Sequence, residues 1–196
     1  MPRNKEDARR RLRKAALELY RERGYERTTT AEIAAQAGVT ERTFFRHFAD
    51  KREILFDEDP RLRPALAAAV AGAPADAAPM EILLQTFQAI EPMLDENRPF
   101  TEPRLAIIAR TPALQERADA KTASITALLA SALQARGVET RLATLAAQAG
   151  MASFSYAASG WRERPSVSFG THLVEAFETL QRLGDQDRQG SATRGQ

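Results

Sequence analysis

Residues 29–48, TTAEIAAQAGVTERTFFRHF, decide how this chain folds. Thr29 and Glu32 have capping-box spacing, in which each side chain satisfies a backbone donor at the start of a helix. Ile33, Ala34 and Ala37 then fall on one face, at the period of a buried helical stripe. Gly38 follows at once, where a residue able to take positive φ ends a helix cheaply. Thr40 is placed to cap a second helix whose inner face carries Phe44 and Phe48. Glu41, Arg42, Phe45 and Arg46 are left pointing outward. The spacing predicts two short helices joined by a tight turn, the shape of a helix-turn-helix whose second helix suits a DNA major groove.

The pattern extends on both sides, over residues 24–55, GYERTTTAEIAAQAGVTERTFFRHFADKREIL. Gly24 with an aromatic, paired threonines, Ile33-Ala34, Ala37-Gly38-Val39, the capping Thr40, the aromatic pair Phe44-Phe45, His47-Phe48 and Lys51 stand at fixed intervals. In these elements the segment resembles the DNA-binding domain of the TetR family of transcriptional regulators. One departure is Phe45, where the family usually has Tyr; the ring can still press on a thymine methyl, but a hydroxyl hydrogen bond is lost. The resemblance implies a phosphate contact for Lys51. For His47 two roles fit: a phosphate donor, as the resemblance implies, or a cation near the C-terminus of the second helix.

Charge points the same way. Residues 1–52 hold 14 Lys or Arg against 8 Asp or Glu, whereas the remainder holds 14 against 18, so the basic excess lies with the helix-turn-helix. That asymmetry predicts an anionic partner for the N-terminal part. Arg42 can pair with both acceptors of guanine; Glu41 can accept from a cytosine amino group or repel mispositioned phosphate; Arg46 suits either job. Thr29, Thr30, Thr40, Thr43, His47 and Lys51 are expected to hold the DNA backbone, with Phe45 in apolar contact. Arg9, Arg10, Arg11, Arg13 and Lys14 form a basic cluster on the first helix, part of which can face phosphates.

The whole chain of 196 residues reads as all-α. A helix-turn-helix domain of three helices is expected at residues 4–58, with Asn4 and Asp7 as candidate caps of its first helix. A TetR-like helical bundle, for ligand binding and dimerisation, is expected at 59–183, and a disordered tail at 184–196, where large apolar residues are lacking. A fourth helix should begin at Asp50 and Glu53 and stop or kink at Pro60. Further helices are expected at 61–70, 80–97 (with a bend at Pro92), 104–109, 113–136, 139–162 and 167–183, and a loop at 71–79. The small residues Ala146, Ala149, Gly150, Ser153, Ala157 and Gly160 form a seam that invites a partner helix, and Leu173, Val174, Phe177, Leu180 and Leu183 form an apolar stripe. Together they predict a homodimer built on a bundle of four helices.

The inventory speaks against an enzyme. There is no cysteine, the two histidines His47 and His172 lie far apart, and no phosphate loop, nucleophile elbow or HExxH motif occurs. No catalytic residue, metal site or cofactor is expected. No apolar run approaches the ~18 residues of a membrane span, so a cytoplasmic protein with no membrane partner is expected. Phe87, Met93, Phe100, Met151, Phe154, Tyr156 and Trp161 are candidate lining for a ligand cavity, though aromatic and Met residues at helical spacing also serve as plain core. Two readings result. One is a regulator, most simply a repressor, that binds near-palindromic double-stranded DNA as a homodimer and, as the resemblance implies, is released by a small-molecule effector. The other is a constitutive DNA-binding protein whose C-terminal helices are only a dimerisation scaffold.

Overall fold

Thr29 is extended (φ −103°, ψ 159°), and its hydroxyl accepts from the Glu32 N–H while the Glu32 carboxylate accepts from the Thr29 N–H at 2.9 Å. The capping box is therefore closed in both directions in this computed structural model, and it opens helix α2 (Thr30–Gln36). Gly38 takes φ +66° at the turn. Thr40 then accepts from the Thr43 N–H at 3.2 Å and opens α3 (Glu41–His47). The structure describes residues 2–193, with side chains described from 7 to 184. The first helix, α1 (Pro2–Arg23), ends at Gly24 with φ +86°. Its candidate cap Asn4 has a side chain outside the described residues, and Asp7 instead pairs with Arg10 and Arg11.

After α3 the chain departs from the expected fourth helix. Asp50 does cap, accepting from the Arg52 and Glu53 N–H groups, but only one 3-10 turn follows, Glu53–Phe56. Six further helices complete the described residues: α4 (Leu62–Gly72), α5 (Pro79–Ala89), α6 (Glu91–Ala109), α7 (Pro112–Ala135), α8 (Thr140–Glu163) and α9 (Phe169–Thr193). No strand occurs among them. The break expected as a bend at Pro92 falls at Ile90 instead, where Pro92 sits in the first turn of α6 and needs no intrahelical donor. Conversely, α6 runs through Pro99 and Pro103, across residues 98–103 where a break between two helices was expected. Helix α9 continues to Thr193, across most of the segment expected to lack structure; residues 194–196 lie outside the described ones.

The chain forms two compact units, the first made of residues 1–59 and 96–121, the second of 60–95 and 122 onward. In the first, Leu12, Ala16, Leu19, Ile33, Phe44 and Leu55 are buried together, and Ile108 and Leu114 from α6 and α7 join the same core. In the second, α4, α5, the later part of α7, α8 and α9 bring together Leu66, Val70, Leu83, Phe87, Leu133, Ala147, Phe169 and Leu173.

The small-residue seam of α8 turns out to serve this second core. A Cβ on Gly150 would lie 2.9 Å from Leu83 Cδ1, and one on Gly160 would lie 3.0 Å from His172 Nδ1. Ala146, Ser153 and Ala157 are buried with them. At these five positions the seam admits α5 and α9 of the same chain, whereas Ala149 is only partly buried. The stripe on α9 divides: Leu173 and Phe177 are buried in the core, whereas Leu183 is exposed.

Candidate nucleic-acid interface

Helix α3 is fixed from within by Phe44, which is fully buried, with Phe45 edge-on at 5.3 Å and Phe48 at 5.9 Å between ring centroids. One face of a seven-residue helix is thereby anchored, and the other is free to meet a partner. Glu41, Arg42, Phe45 and Arg46 are exposed on that free side, Phe45 by 53%. Among the described residues Arg42 and Arg46 make no hydrogen bond or ion pair, so both guanidinium forks are open on either side of an exposed aromatic ring.

Glu41 is differently placed. Its carboxylate accepts from the Thr30 hydroxyl at 2.6 Å, joining the first residue of α2 to the first residue of α3. Thr40 and Thr43 share a hydroxyl contact of 3.0 Å, and the Thr29 hydroxyl belongs to the capping box. His47 is half-buried with its ring 6.4 Å from that of Phe48.

Lys51 lies in an unexpected setting. Its ammonium donates to the carbonyls of Tyr25, Glu26 and Thr28 at 2.9, 3.2 and 3.0 Å, and it sits 4.4 Å from the Tyr25 ring centroid. All three of its hydrogens are thereby committed to the turn between α1 and α2. Tyr20 closes the clasp by donating its hydroxyl to the Lys51 carbonyl at 2.7 Å, and packs edge-on against Tyr25. Burial pushes both phenols up, that of Tyr25 to about 12, so both tyrosines stay neutral.

Part of the basic cluster on α1 also works inward. Arg11 donates to the Ala37 carbonyl at 2.9 Å, satisfying an open carbonyl at the end of α2. Arg9 grips Asp57 with two guanidinium nitrogens and lies 5.0 Å from the Phe48 ring centroid. Hydrogen bonding to Asp57 holds the Arg9 guanidinium above its ordinary value. The cluster was visible in the sequence; which of its members have partners tens of residues away was not.

The candidate ligand residues are not all brought together. Phe87, Met151, Phe154 and Trp161 meet in the second unit, with Phe87 and Phe154 centroids 5.0 Å apart and Phe169 5.1 Å from Phe154 and 5.6 Å from Trp161. Met93 belongs to the same unit and is partly buried. Phe100 belongs to the first unit, 4.5 Å from the Arg13 guanidinium. Tyr156 points out of its unit, 69% exposed, because the core side of α8 is already taken by Ser153 and Ala157. Phe169, buried against the same helix, was not singled out by sequence reasoning, and His172, buried there too, was weighed only as a catalytic candidate. No group of three or more potential metal ligands occurs among the described residues.

A capped, anchored two-helix unit with open arginines on its second helix defines a helix-turn-helix protein. Residues 12–57 match the model of bacterial regulatory proteins of the tetR family. The HTH-type transcriptional regulator TcmR of Streptomyces glaucescens is 39% identical over 79 residues, which are 40% of this chain and 35% of that protein. The match thus spans about a third of the length of that relative. Among solved structures, NalD, the secondary repressor of the MexAB-OprM multidrug efflux pump in Pseudomonas aeruginosa, shares 23% identity with a TM-score of 0.63, over 91% of this chain and 96% of that one. FadR of Thermus thermophilus, a repressor solved with lauroyl-CoA, shares 24% with a TM-score of 0.56, over 88% and 93%. SmeT in complex with triclosan shares 20% with a TM-score of 0.58, over 88% of each chain. These are likenesses of fold. Residues 12–57 are thus similar to the N-terminal domain of bacterial regulatory proteins of the tetR family, and over the rest of the chain the likeness is one of fold.

Proposed function

We propose that this chain is a transcriptional repressor that binds near-palindromic double-stranded DNA as a homodimer in the cytoplasm and is released by a small, largely apolar effector. The observation that carries the DNA reading is the open pair Arg42 and Arg46 flanking the exposed Phe45 on α3. An unpartnered guanidinium fork matches the two acceptors of guanine, a contact worth ~1–3 kcal/mol against the wrong base. Phe45 offers a flat apolar surface to a thymine methyl. Glu41, held by Thr30, fixes the spacing of the two helices and keeps its second oxygen for a cytosine amino group. Thr29, Thr30, Thr40, Thr43 and His47 border this face and suit phosphate contacts. Lys51 supports them chiefly by shaping the turn at residues 25–28.

A seven-residue helix reads few bases, so a second copy is needed to read the next major groove ~34–36 Å away or somewhat farther. With the small-residue seam occupied, the surface left for pairing on α8 is Leu142, Leu145 and Tyr156, exposed by 50, 64 and 69%. Ala149 and Ala152 lie between them at alternating spacings of three and four, the register of a helix-packing stripe.

Release requires an effector that prefers the dimer unable to bind DNA. The structures with lauroyl-CoA and triclosan carry ligands with large apolar parts, and the aromatic group of Phe87, Phe154, Phe169 and Trp161 is the part of this chain that suits such a part. The same group supports a second reading. Its rings already pack edge-on or tilted at 5.0–5.6 Å, as in a plain core, which suits a scaffold without an effector.

Selection of bound fragments from a genomic library tests the first part: enrichment of an inverted repeat supports the proposal, and no enrichment contradicts it. A thermal-shift screen with fatty-acyl compounds and apolar drugs separates the two readings. A hit that also dissociates the selected fragment supports the effector; a screen without hits favours the scaffold.

A further inference from the structure

On the face that carries Arg42 and Arg46, one bond between side chains ties the two helices of the motif together. The Thr30 hydroxyl, on the first residue of α2, donates at 2.6 Å to Oε1 of Glu41, the first residue of α3. A bond this short is typical of a hydroxyl donating to a carboxylate. It joins residues 11 positions apart, with Glu41 exposed and Thr30 half-buried. A hydroxyl has a single hydrogen, so while this pair stands Thr30 has none to give a phosphate. That separates Thr30 from Thr40 and Thr43, which share one hydroxyl contact and keep one of their two hydrogens for another acceptor.

Glu41 Oε2 makes no hydrogen bond among the described residues. Glu41 stands one helical turn before the exposed Phe45 and directly before Arg42. A carboxylate accepts and does not donate. In the major groove the base donors are the amino groups of cytosine and adenine. Guanine presents two acceptors there, and thymine an acceptor and a methyl, so a carboxylate held at either edge is repelled. An untied glutamate escapes such an edge by turning about its several rotatable bonds. Tied at Oε1, it escapes only by breaking the bond to Thr30, and the mismatch becomes costly.

We propose that Thr30 is a positioning residue for sequence specificity: by holding Glu41 Oε1 it aims Oε2 at one base edge per half-site and restricts that edge to an amino donor, cytosine or adenine. The inference rests on the DNA-reading role of α3 proposed above. Arg42, the next residue, makes the opposite demand, because its fork takes acceptors. Together the two side chains ask for a donor edge beside an acceptor edge, a requirement that neither imposes alone.

The test is a competition series with the full chain, in which each base pair of a selected DNA fragment is replaced in turn by the other three. The wild type should show, at one position per half-site, a preference of about tenfold for an amino-bearing base over guanine and thymine. Glu41→Ala should erase the preference at that position. Thr30→Val keeps the size and the net charge but lacks the hydroxyl. It should reduce the same preference by about threefold or more, leaving the other positions and the salt dependence as they were. Thr30→Ser, which returns the hydroxyl, should restore it. An equal loss on every fragment in Thr30→Val would make the threonine a phosphate contact and overturn the proposal. So would an amino preference that Thr30→Val or Glu41→Ala leaves unchanged. Selective binding by the wild type without any amino preference sinks this inference alone, whereas no selective binding at all overturns the DNA reading on which it rests.

Discussion

Lys51 has three ammonium hydrogens and three backbone carbonyls to receive them, supplied by residues 23 to 26 positions earlier in the chain. Carbonyls in a tight turn converge their negative ends, and a cation at their focus relieves that repulsion. Charged hydrogen bonds contribute about 1.5–3 kcal/mol each at most, and those sharing one cation less than additively. Lys51→Met should therefore lower the free energy of unfolding by about 1.5–3 kcal/mol in urea denaturation, while changing the salt dependence of DNA binding little. If stability is unchanged and the salt slope falls by about one, the lysine is a phosphate contact and the clasp contributes nothing. The resemblance read from the sequence pointed to a phosphate as the partner of this cation. It could not show that the negative group was the turn at 25–28, since nothing in residues 50–53 encodes their proximity to Tyr25. The open state of Arg42 and Arg46 was legible, because both fall opposite Phe44 on a short amphipathic helix.

At the scale of elements, the local signals carried furthest. The caps at Thr29 and Thr40 and the turn at Gly38 are decided by neighbours three residues away, so they could be read directly. Thr29→Ala should cost about 1 kcal/mol of stability. Glu32 is held below its ordinary value of 4.5, first by the Thr29 backbone N–H. Since the folded value is depressed, its contribution is present above the unfolded value and is lost as pH falls through the folded one. Glu32→Gln should accordingly flatten the loss of Tm between about pH 5 and pH 3. Stripes were less legible than caps. A run of small residues shows that a helix approaches closely, and does not say from which chain; Gly150 and Gly160 receive Leu83 and His172 of their own. Prolines were ambiguous for a similar reason: Pro92 sits in a first turn, whereas Pro99 and Pro103 lie inside α6.

For the whole molecule, the least legible feature was the membership of residues 96–121 in the unit that holds the helix-turn-helix. Ile108 and Leu114 bury themselves with Phe44 and Leu55, and Arg117 and Lys121 reach Glu53 and the Phe56 carbonyl. These contacts join segments 50 or more positions apart, beyond any periodicity. The homodimer remains the proposal on which DNA reading depends. Leu145→Glu places a charge in the exposed α8 stripe and should yield a monomer at micromolar concentration by sedimentation, with helicity unchanged. A wild-type monomer under the same conditions would contradict the pairing itself.

The most direct measurement of the central claim is fluorescence anisotropy of a selected DNA fragment against the wild-type chain and Arg42→Ala/Arg46→Ala, at several salt concentrations and with scrambled fragments as competitors. The wild type should bind the selected fragment in preference to scrambled ones, with affinity falling steeply as salt rises. The double variant should keep its fold, lose about tenfold or more in affinity for the selected fragment and no longer distinguish it from scrambled DNA. Equal affinity and equal preference in the two proteins would contradict the assignment of α3 as the DNA-reading surface.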